Sequence, residues 1–284
     1  MADIRRIKRR IQSVQNTARI TNAMQVIASS KMKRAQDRDI SGRPYAEKMR
    51  EVISHLASQM IAFHHPLLTQ REVKKVMVVH FTSDRGLCGG FNANLNRHVA
   101  SFILEDGHPA TIVAVGRRGG SFMRRSGVEV CAEFTGLADS VGVVDIRPLS
   151  QIVIDDYGSG AIDRVYLAYT RFLSTATQHP TIYPLLPLKP GEREEEKIPE
   201  YIYEPNPAQV LSGLLPRYVE MQIYHALLES IASEHSARMV AMKNATDNAH
   251  DLIDELTLAY NKARQEMITR ELLDITGGAV ALTG

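Results

Sequence analysis

The sequence has few cysteines and no long apolar run. Its two cysteines, Cys88 and Cys131, are too few for a disulfide framework and lack metal-ligand spacing, which favours a reducing compartment. No apolar run approaches the roughly 20 residues that a membrane-spanning helix needs, so we expect membrane association only through a partner. The basic start, MADIRRIKRR, is typical of a transit peptide, but its apolar spacing continues beyond any cleavage point and predicts a mature helix.

Negative charge is scarce in the first 50 residues. They contain 13 Lys and Arg against 4 Asp and Glu, a net charge of +9, whereas the remaining 234 residues contain 21 against 28, a net charge of −7. A basic arm favours an acidic partner such as nucleic acid, an anionic membrane or an acidic protein surface. Residues 1–44 contain no aromatic residue, which argues against a stacking platform for single strands. A nucleic-acid-binding module and a simple solvated helix face stay as alternatives.

The first stretch of the chain has helical periodicity. Apolar residues recur at 3-4-3-4 spacing over residues 4–18, and the pattern resumes at Tyr45 after a polar stretch. Gly42 and Pro44 mark an expected bend or weak point, and the segment closes at the sequence HHP, residues 64–66. A helix of about 60 residues would be roughly 90 Å long. That length exceeds what a compact domain of this size buries by itself.

The last third of the chain repeats this pattern. Helix formers run from about residue 208 to 276, and 3-4 spacing recurs over residues 242–263. Alanines at the seam would let two helices approach closely. Two long heptad-bearing helices at opposite ends of a chain predict an antiparallel intramolecular coiled coil, and a homodimeric coiled coil stays as the alternative.

The middle of the chain changes period. Strand patterns occupy residues 73–81, 110–115, 164–171 and 181–188, with helical patterns at 92–104 and 148–157. Strands that alternate with helices predict an α/β domain with a mainly parallel sheet. The predicted domains are an N-terminal helix at 1–62, an inserted α/β domain at 73–205 and a C-terminal helix at 206–284.

Glycine-rich stretches after two predicted strands raise the question of phosphate binding. The run SDRGLCGGFN, residues 83–92, opens a helix, but no Lys-Ser/Thr follows its glycines and Gly-x-Gly-x-x-Gly is absent. Residues 116–120 fail the same tests, so both stretches are interpreted as structural turns. Cys88 has no positioned base and is interpreted as a small buried residue in a tight loop. We therefore expect no catalytic residue, bound cofactor or metal, with a small α/β enzyme built around SDRGLCGG as the alternative.

Five stretches then occur in order along the chain. They are ITNAMQVIASSKMKRAQ (20–36), SDRGLCGGFN (83–92), SEHSARMVAMKNATDNA (233–249), YNKARQ (260–265) and ITRELLDITGGAVA (268–281). Together they resemble the gamma subunit of the rotary, proton-translocating ATP synthases, bacterial type. The resemblance covers essentially the full length of the chain. It implies a long antiparallel coiled coil of the N- and C-terminal helices with an inserted Rossmann-like α/β domain.

The resemblance also implies a function. In that family the two terminal helices form a central rotor shaft, which couples proton-driven rotation of the c-ring to sequential conformational change of the catalytic beta subunits. The implied partners are three alpha and three beta subunits, the epsilon subunit and the c-ring, with no nucleic acid and with the membrane reached only through the c-ring. ATP, ADP and Mg are bound by the alpha and beta subunits. The implied location is the cytoplasmic side of the cell inner membrane, as a peripheral subunit.

Contact residues carry over by motif. The resemblance implies contacts with the alpha/beta ring at Met24, Lys31, Arg34, Arg85, Cys88, Arg238, Arg264, Gln265, Thr269 and Glu271. It implies contacts with the c-ring and epsilon at Tyr201, Tyr203 and Glu204. Asn22 and Arg270 depart from the family pattern, which has lysine and glutamine there, and no dithiol insert interrupts the middle of the chain. Gly277 and Gly278 are expected to loosen or end the last helix, leaving a slim apolar tip.

Overall fold

Long helices at both ends of the chain flank a five-stranded α/β region. The computed structural model describes residues 2–59, 65–137, 141–188 and 203–283. The helices are α1 (Ala2–Gln59), α2 (Phe91–Asp106), α3 (Arg117–Arg125), α4 (Arg147–Gly158) and α5 (Pro207–Thr283), with short 3-10 turns at Pro66–Leu68 and Val143–Ile146. The strands are β1 (Val76–Phe81), β2 (Ala110–Val115), β3 (Glu129–Phe134), β4 (Arg164–Phe172) and β5 (Gln178–Leu186).

The chain divides into two compact units. The first unit, called the helical unit below, consists of Met1–Ile27 and Met239–Gly284. The second, called the α/β unit, consists of Ala28–Arg238. Both long helices therefore contribute residues to both units.

The sheet of the α/β unit has the order β3-β2-β1-β4-β5. The first four strands are mutually parallel, and β5 is antiparallel to β4. All six residues of β1 are buried, as expected for a central parallel strand with both faces covered. The predicted α/β class with a mainly parallel sheet is therefore confirmed, and β2 has the predicted bounds.

One strand and one helix were not predicted. β3 is an edge strand whose residues alternate between exposed and half-buried. α3 begins directly after Gly116, so the interpretation of residues 116–120 as a structural turn is wrong. Its glycines allow close packing, because a Cβ on Gly119 would lie 2.7 Å from the Thr82 hydroxyl and 2.9 Å from His80 Nδ1. Tertiary contact, rather than helix propensity, fixes this helix.

The core of the α/β unit is completed by both long helices. The larger apolar cluster combines Leu56 of α1 and Tyr157 of α4 with Leu211 and Leu215 of α5, against strand residues such as Met77. A smaller cluster lies on the other face of the sheet, under α2 and α3, and includes Val78, Leu95, Ile112 and Met123. Burial of this apolar area is the main stabilising contribution to the unit. The α/β unit therefore includes residues that the sequence predicts as parts of the terminal helices.

Pro44 does not end α1, although the sequence predicts a weak point there. The helix is continuous from Ala2 to Gln59 with Pro44 inside it. A proline inside a helix costs about 3 kcal/mol, so packing has to offset that cost. Burial of Met49, Ile53 and Leu56 in the core provides the offset. The neighbouring Gly42 has a different reason: a Cβ there would lie 3.1 Å from His225 Cε1, so glycine lets α1 and α5 approach closely.

A buried carboxylate fixes α1 against α5 within the α/β unit. Asp39 Oδ1 lies 2.9 Å from His225 Nδ1, and Asp39 Oδ2 accepts from Arg43 Nη2 at 2.9 Å. Burial alone would raise the pKa of Asp39, but the hydrogen bonds to His225 and Arg43 outweigh it and hold that pKa below its ordinary value. Asp39 therefore fixes the axial alignment of α1 and α5, because sliding one helix along the other would leave its charge buried without these partners.

Small residues bring α1 and α5 together in the helical unit. The hydroxyls of Thr21 and Thr246 lie 2.6 Å apart, and Thr246 also donates to Met242 O at 2.9 Å. Ala18 and Ala249 are buried beside them. These contacts join residues that are 225 positions apart in the sequence.

The end of α5 differs from the sequence-based prediction. Gly277 and Gly278 do not end the helix, which continues to Thr283. A glycine ends a helix when it adopts a left-handed conformation, and Gly277 is not among the glycines with positive φ. Inside a helix a glycine costs only about 1 kcal/mol relative to alanine, and a cost of this size at one position is too small to end the helix.

In the described part of the chain, no helix combines the length and the apolar character that crossing a membrane requires.

Candidate functional site

The loop between β1 and α2, residues 83–90, is held by hydrogen bonds of Ser83 and of Asn92 in the first turn of α2. This segment is called the contact loop below. The Ser83 backbone N–H donates to Asn92 Oδ1 at 3.0 Å, and Ser83 Oγ donates to Arg85 O at 2.5 Å. Asn92 Nδ2 in turn donates to Ser83 Oγ at 2.7 Å and lies 3.2 Å from Cys88 Sγ. The motif SDRGLCGGFN therefore encodes a closed hydrogen-bond circuit at the carboxyl end of a central strand.

Asp84 ties the contact loop to two other segments. Its Oδ1 accepts from the Arg117 backbone N–H at 3.1 Å, and its Oδ2 accepts from the Gly136 N–H at 2.8 Å. Arg117 is the first residue of α3, where the helix dipole favours negative charge. In nucleotide-binding α/β folds a phosphate takes such a position. Here the carboxylate of Asp84 occupies it.

Arg238 connects the contact loop to α5. Its Nη2 donates to Gly86 O at 3.3 Å, and its Nη1 lies 2.7 Å from Glu234 Oε1 and 3.2 Å from His235 Nδ1. The side chains of Arg238 and Glu234 are each only 10% exposed. An ion pair this buried depends on good geometry and on additional hydrogen bonds. The resemblance assigns Arg238 to an interface, but the structure places its side chain inside, behind the contact loop.

Two side chains of the contact loop point outward. Arg85 is exposed, and Leu87 is 63% exposed. Arg117 lies close by in the same surface, with its side chain 64% exposed and its Nε 3.8 Å from Asp84 Oδ1. The outer surface of the loop is therefore cationic with one apolar side chain.

Cys88 lies on the inner side of the contact loop. It is 2% exposed, as the interpretation of a small buried residue in a tight loop predicts. Burial raises the pKa of its thiol, and the hydrogen bond with Ser83 only partly opposes this effect. The thiol is therefore protonated at neutral pH, and a direct contact of its side chain with a partner does not fit its burial.

The two cysteines should differ strongly in their rate of alkylation. Cys131 is exposed on the edge strand, whereas Cys88 needs an opening of the contact loop before a reagent can reach it. Desolvation raises the pKa of both thiols, because Cys88 is buried and the Cys131 thiol is partly covered where it donates to Ile112 O, so both rates should increase with pH. In the folded chain at pH 7 we expect maleimide to modify Cys88 at least about tenfold more slowly than Cys131. Cys88→Ser and Cys131→Ser variants isolate each rate, and equal rates would contradict the buried placement.

Lys31 and Arg34 line a basic depression on the α/β unit. Arg38 and His235 complete its polar lining. Its floor is apolar, formed by Ala35, Val141, Leu228 and Ile231. His235 also contacts Arg238, which bonds to the contact loop, so neighbouring residues of α5 contact both the depression and the contact loop. The structure thus brings Lys31, Arg34, Arg85, Cys88 and Arg238 into one unit.

The other predicted contact residues are dispersed. In the helical unit Met24 is half-buried on α1, and Arg264, Gln265, Thr269 and Glu271 are exposed on α5. Thr269 Oγ1 donates to Gln265 O at 2.9 Å, one helical turn earlier. In the α/β unit Tyr203 packs against the larger apolar cluster and Glu204 is exposed. Tyr201 lies outside the described residues.

Three serines that sequence reasoning missed close the end of the sheet. Parallel α/β sheets bind ligands at the carboxyl ends of the strands where the strand order reverses, which here is between β1 and β4. α5 covers this point: Ser230 Oγ donates to Phe81 O at 3.4 Å, and Ser233 Oγ donates to Thr170 O at 2.8 Å. Ser236 Oγ donates to Thr175 O at 2.8 Å. Their spacing of three along one helix is the signal that could have revealed them.

Within the described ranges no group of three or more His, Cys, Asp or Glu side chains is arranged to hold a metal ion.

Comparison with known proteins identifies the class of this chain. The family model described as ATP synthase matches residues 3–282. The chain is 58% identical over 284 residues to the ATP synthase gamma chain of Dehalococcoides mccartyi strain 195, covering 99% of this chain and 100% of that relative. It is 47% identical over 282 residues to the gamma chain of Moorella thermoacetica, with the same coverage. The chain therefore belongs to the ATP synthase gamma chain family.

Solved structures agree with this assignment. The chain is similar to the central stalk and c-ring structure of Tetrahymena thermophila mitochondrial ATP synthase, at 27% identity and a TM-score of 0.60, covering 80% of this chain and 99% of that one. A chain of the Euglena gracilis mitochondrial ATP synthase, rotational state 3, matches with a TM-score of 0.68 at 18% identity, covering 99% and 95%, and supports the fold alone.

Family membership confirms the resemblance that the five sequence stretches indicate. A gamma chain is a non-catalytic subunit of its complex and is not the subunit that binds nucleotide for catalysis. The nucleic-acid-binding alternative has no support in these comparisons.

Proposed function

We propose that this chain is the central rotor shaft of an ATP synthase. It couples proton-driven rotation of the c-ring to sequential conformational change of the catalytic beta subunits, in synthesis or in reverse. The observation that carries the proposal is the match to gamma chains over 99% of this chain. The hydrogen-bonded contact loop adds physical support, because a subunit that transmits force needs contact residues that the surrounding structure holds in place.

The domain organisation follows from this role. We assign an N-terminal shaft helix to residues 1–62, an inserted Rossmann-like α/β domain to 73–205 and a C-terminal shaft helix to 206–284. α1 and α5 would form a long antiparallel coiled coil. The Thr21–Thr246 hydrogen bond and the buried alanines of the helical unit support close helix packing of this kind.

The contact residues divide into three groups. Arg85 would meet an acidic loop of a beta subunit, with Lys31 and Arg34 as secondary partners of the same acidic surface. Cys88 and Arg238 would act indirectly, because their buried side chains hold the contact loop in place through hydrogen bonds. The remaining contacts with the alpha/beta ring would come from Met24, Arg264, Gln265, Thr269 and Glu271.

The remaining partners follow from the family. Three alpha subunits, three beta subunits, the epsilon subunit and the c-ring would surround this chain, and Tyr201, Tyr203 and Glu204 would lie at the c-ring and epsilon. ATP, ADP and Mg would be bound by the alpha and beta subunits. The chain would be a peripheral subunit on the cytoplasmic side of the cell inner membrane, reaching the membrane only through the c-ring.

Energy considerations explain why many modest contacts are needed. Shifting a beta subunit from 1:99 to 99:1 between two states requires about 5.5 kcal/mol of differential binding. One exposed ion pair contributes only about 0.2–1 kcal/mol. Arg85 alone is therefore insufficient, and the contacts of both units have to act together. Each orientation of the shaft then shifts the population of a different beta subunit.

Purification and coupling assays test this function. The chain should purify with alpha, beta and epsilon subunits in a ratio of one to three to three to one, and alone it should not hydrolyse ATP. In the assembled complex, Arg264→Ala and Gln265→Ala should each lower the number of protons pumped per ATP hydrolysed. Lys262→Ala, at another exposed position of α5, is the matched control and should not. ATP hydrolysis by the pure chain would overturn the proposal.

A further inference from the structure

Leu87 adopts a backbone conformation that leucine rarely adopts. Its φ is 63°, and it is the only residue other than glycine with positive φ in the part of the chain that the structure describes. In this left-handed region the Cβ of an L-residue crowds its own backbone, so a bulky residue there is strained. Such strain persists only where the surrounding structure imposes it, and it is concentrated at functional sites.

The chain gains no burial in return for this strain. Leu87 is 63% exposed, so its side chain contributes little to the core. Two positions later, Gly89 has a φ of 56° and meets the same backbone requirement without strain. A glycine or an asparagine at position 87 would therefore satisfy the loop at lower cost. Packing within the chain therefore does not account for a leucine at this position.

Hydrogen bonds on both sides hold Leu87 in this orientation. On one side the carbonyls of Arg85 and Gly86 accept from Ser83 Oγ and Arg238 Nη2. On the other side Asn92 holds Cys88 Sγ at 3.2 Å. Cys88 O also accepts from the Phe91 N–H at 3.2 Å, so the backbone is restrained on both sides of Leu87 and directs its side chain outward. A pre-oriented apolar side chain binds at a lower entropic cost than a mobile one.

Cationic side chains lie on the contact loop and at the start of α3 beside it. Arg85 is exposed two residues before Leu87, and Arg117 is 64% exposed. Arg118 lies beside Gly86, since a Cβ built on that glycine would lie 3.2 Å from Arg118 Nη2. Asp84, the acidic residue of the loop, is only 16% exposed and is engaged by backbone N–H groups. The surface that complements this patch is acidic with an apolar residue inside it.

We infer that Leu87 is an apolar contact residue of the contact loop. Its side chain docks against an apolar side chain within an acidic segment of a beta subunit. The inference rests on the proposed function, in which Arg85 meets an acidic loop of a beta subunit, and it adds a specificity contact to that site. An apolar contact beside ion pairs helps to exclude water from them. Exclusion of water strengthens those pairs, because the local dielectric constant falls.

The test separates the side chain of Leu87 from its backbone conformation. Leu87→Asn and Leu87→Gly relieve the strain and remove the apolar contact. For the purified full chain, the thermal unfolding midpoint should stay within about 2 °C of the parent or rise. In the assembled ATP synthase, the protons pumped per ATP hydrolysed should fall for both variants. Fully burying a leucine corresponds to about a tenfold effect or more on an equilibrium, so we expect a loss of about threefold or more in the affinity of the chain for the alpha/beta ring.

Further variants distinguish the possible outcomes. Leu87→Met keeps an apolar side chain and should retain coupling. Leu104→Asn, at an 83% exposed leucine of α2, is the matched control and should also retain it. Normal coupling in Leu87→Asn together with weak coupling in Arg85→Gln would overturn the inference and leave the proposed function intact. Normal coupling in both variants would instead overturn the proposed contact of the loop.

Discussion

Replacing Gly116 with alanine is expected to destabilise the α/β unit by about 3 kcal/mol or more. Gly116 has a φ of 94°, which disfavours any residue with a Cβ. The added Cβ would lie 2.1 Å from Thr82 O and 2.6 Å from Thr82 C, which are backbone atoms of a neighbouring segment. Gly116 also donates its N–H to Phe134 O at 2.8 Å, so its backbone cannot move away without loss of that bond.

Two other glycines provide matched controls for this prediction. Gly127 has a φ of 77° with no atom within 4 Å of its added Cβ, so Gly127→Ala should show strain alone, about 1–2 kcal/mol. Gly277 lies in α5 with an equally open surrounding, so Gly277→Ala should stabilise by about 0.5–1 kcal/mol. Denaturant unfolding of the purified chain measures all three. A Gly116→Ala variant as stable as Gly127→Ala would contradict the clash.

The Gly116 variant should also disturb the contact loop. Thr82 Oγ1 accepts from the Gly119 N–H at 2.9 Å, so displacement of Thr82 loosens the start of α3. Asp84 bonds the same helix end through Arg117 N. A loosened loop opens more often, and Cys88 should then be alkylated faster than in the parent chain. Gly127→Ala, whose residue lies beyond α3, should leave that rate unchanged.

The sequence predicts the central strands well and the edge poorly, for a physical reason. VMVVHF in β1 and ATIVAV in β2 are buried almost throughout, so each is a largely apolar run with one polar residue, His80 in β1 and Thr111 in β2. EVCAEF in β3 has glutamates at two of its three exposed positions, Glu129 and Glu133, as is common at the edge of a sheet. RRGGSFMRR in α3 has two interior glycines and therefore a low helix propensity, so tertiary contacts with Thr82 and Asp84 fix a helix that local sequence does not specify.

The sequence proposes the residues of the candidate site but does not predict how they are arranged. The motifs name Arg85, Cys88 and Arg238 as candidates, and the sequence predicts burial of Cys88, but it does not predict burial of Arg238. Arg238 and Gly86 are 152 positions apart, and only the folded chain brings them within 3.3 Å. The same holds for Ser230 and Ser233, whose partners are the ends of two strands. Residue type was therefore readable from the sequence, whereas the direction of each side chain depended on packing.

Arg238→Ala is expected to cost about 3–5 kcal/mol of stability in the α/β unit. The change removes the guanidinium 2.7 Å from Glu234 Oε1 and leaves that carboxylate, only 10% exposed, in an environment that strongly disfavours charge. It also removes the hydrogen bond to Gly86 O. Removing both charges in an Arg238→Met, Glu234→Gln variant should recover part of the loss. The exposed Lys48–Glu51 pair is the control, and Lys48→Met should change stability by at most about 0.5 kcal/mol.

Arg238→Lys separates the two contributions of this residue. Lysine keeps a positive charge near Glu234, but its single ammonium cannot reproduce the planar fork that reaches Glu234 and Gly86 together. Stability should therefore fall by less than in Arg238→Ala, while Cys88 becomes more reactive and fewer protons are pumped per ATP hydrolysed in the assembled complex. If Arg238→Lys loses stability but Cys88 is still alkylated slowly and coupling is normal, then Arg238 only stabilises α5 and has no role in coupling. Fast alkylation of Cys88 and weak coupling, at nearly normal stability, would instead mean that α5 transmits force to the contact loop through this side chain.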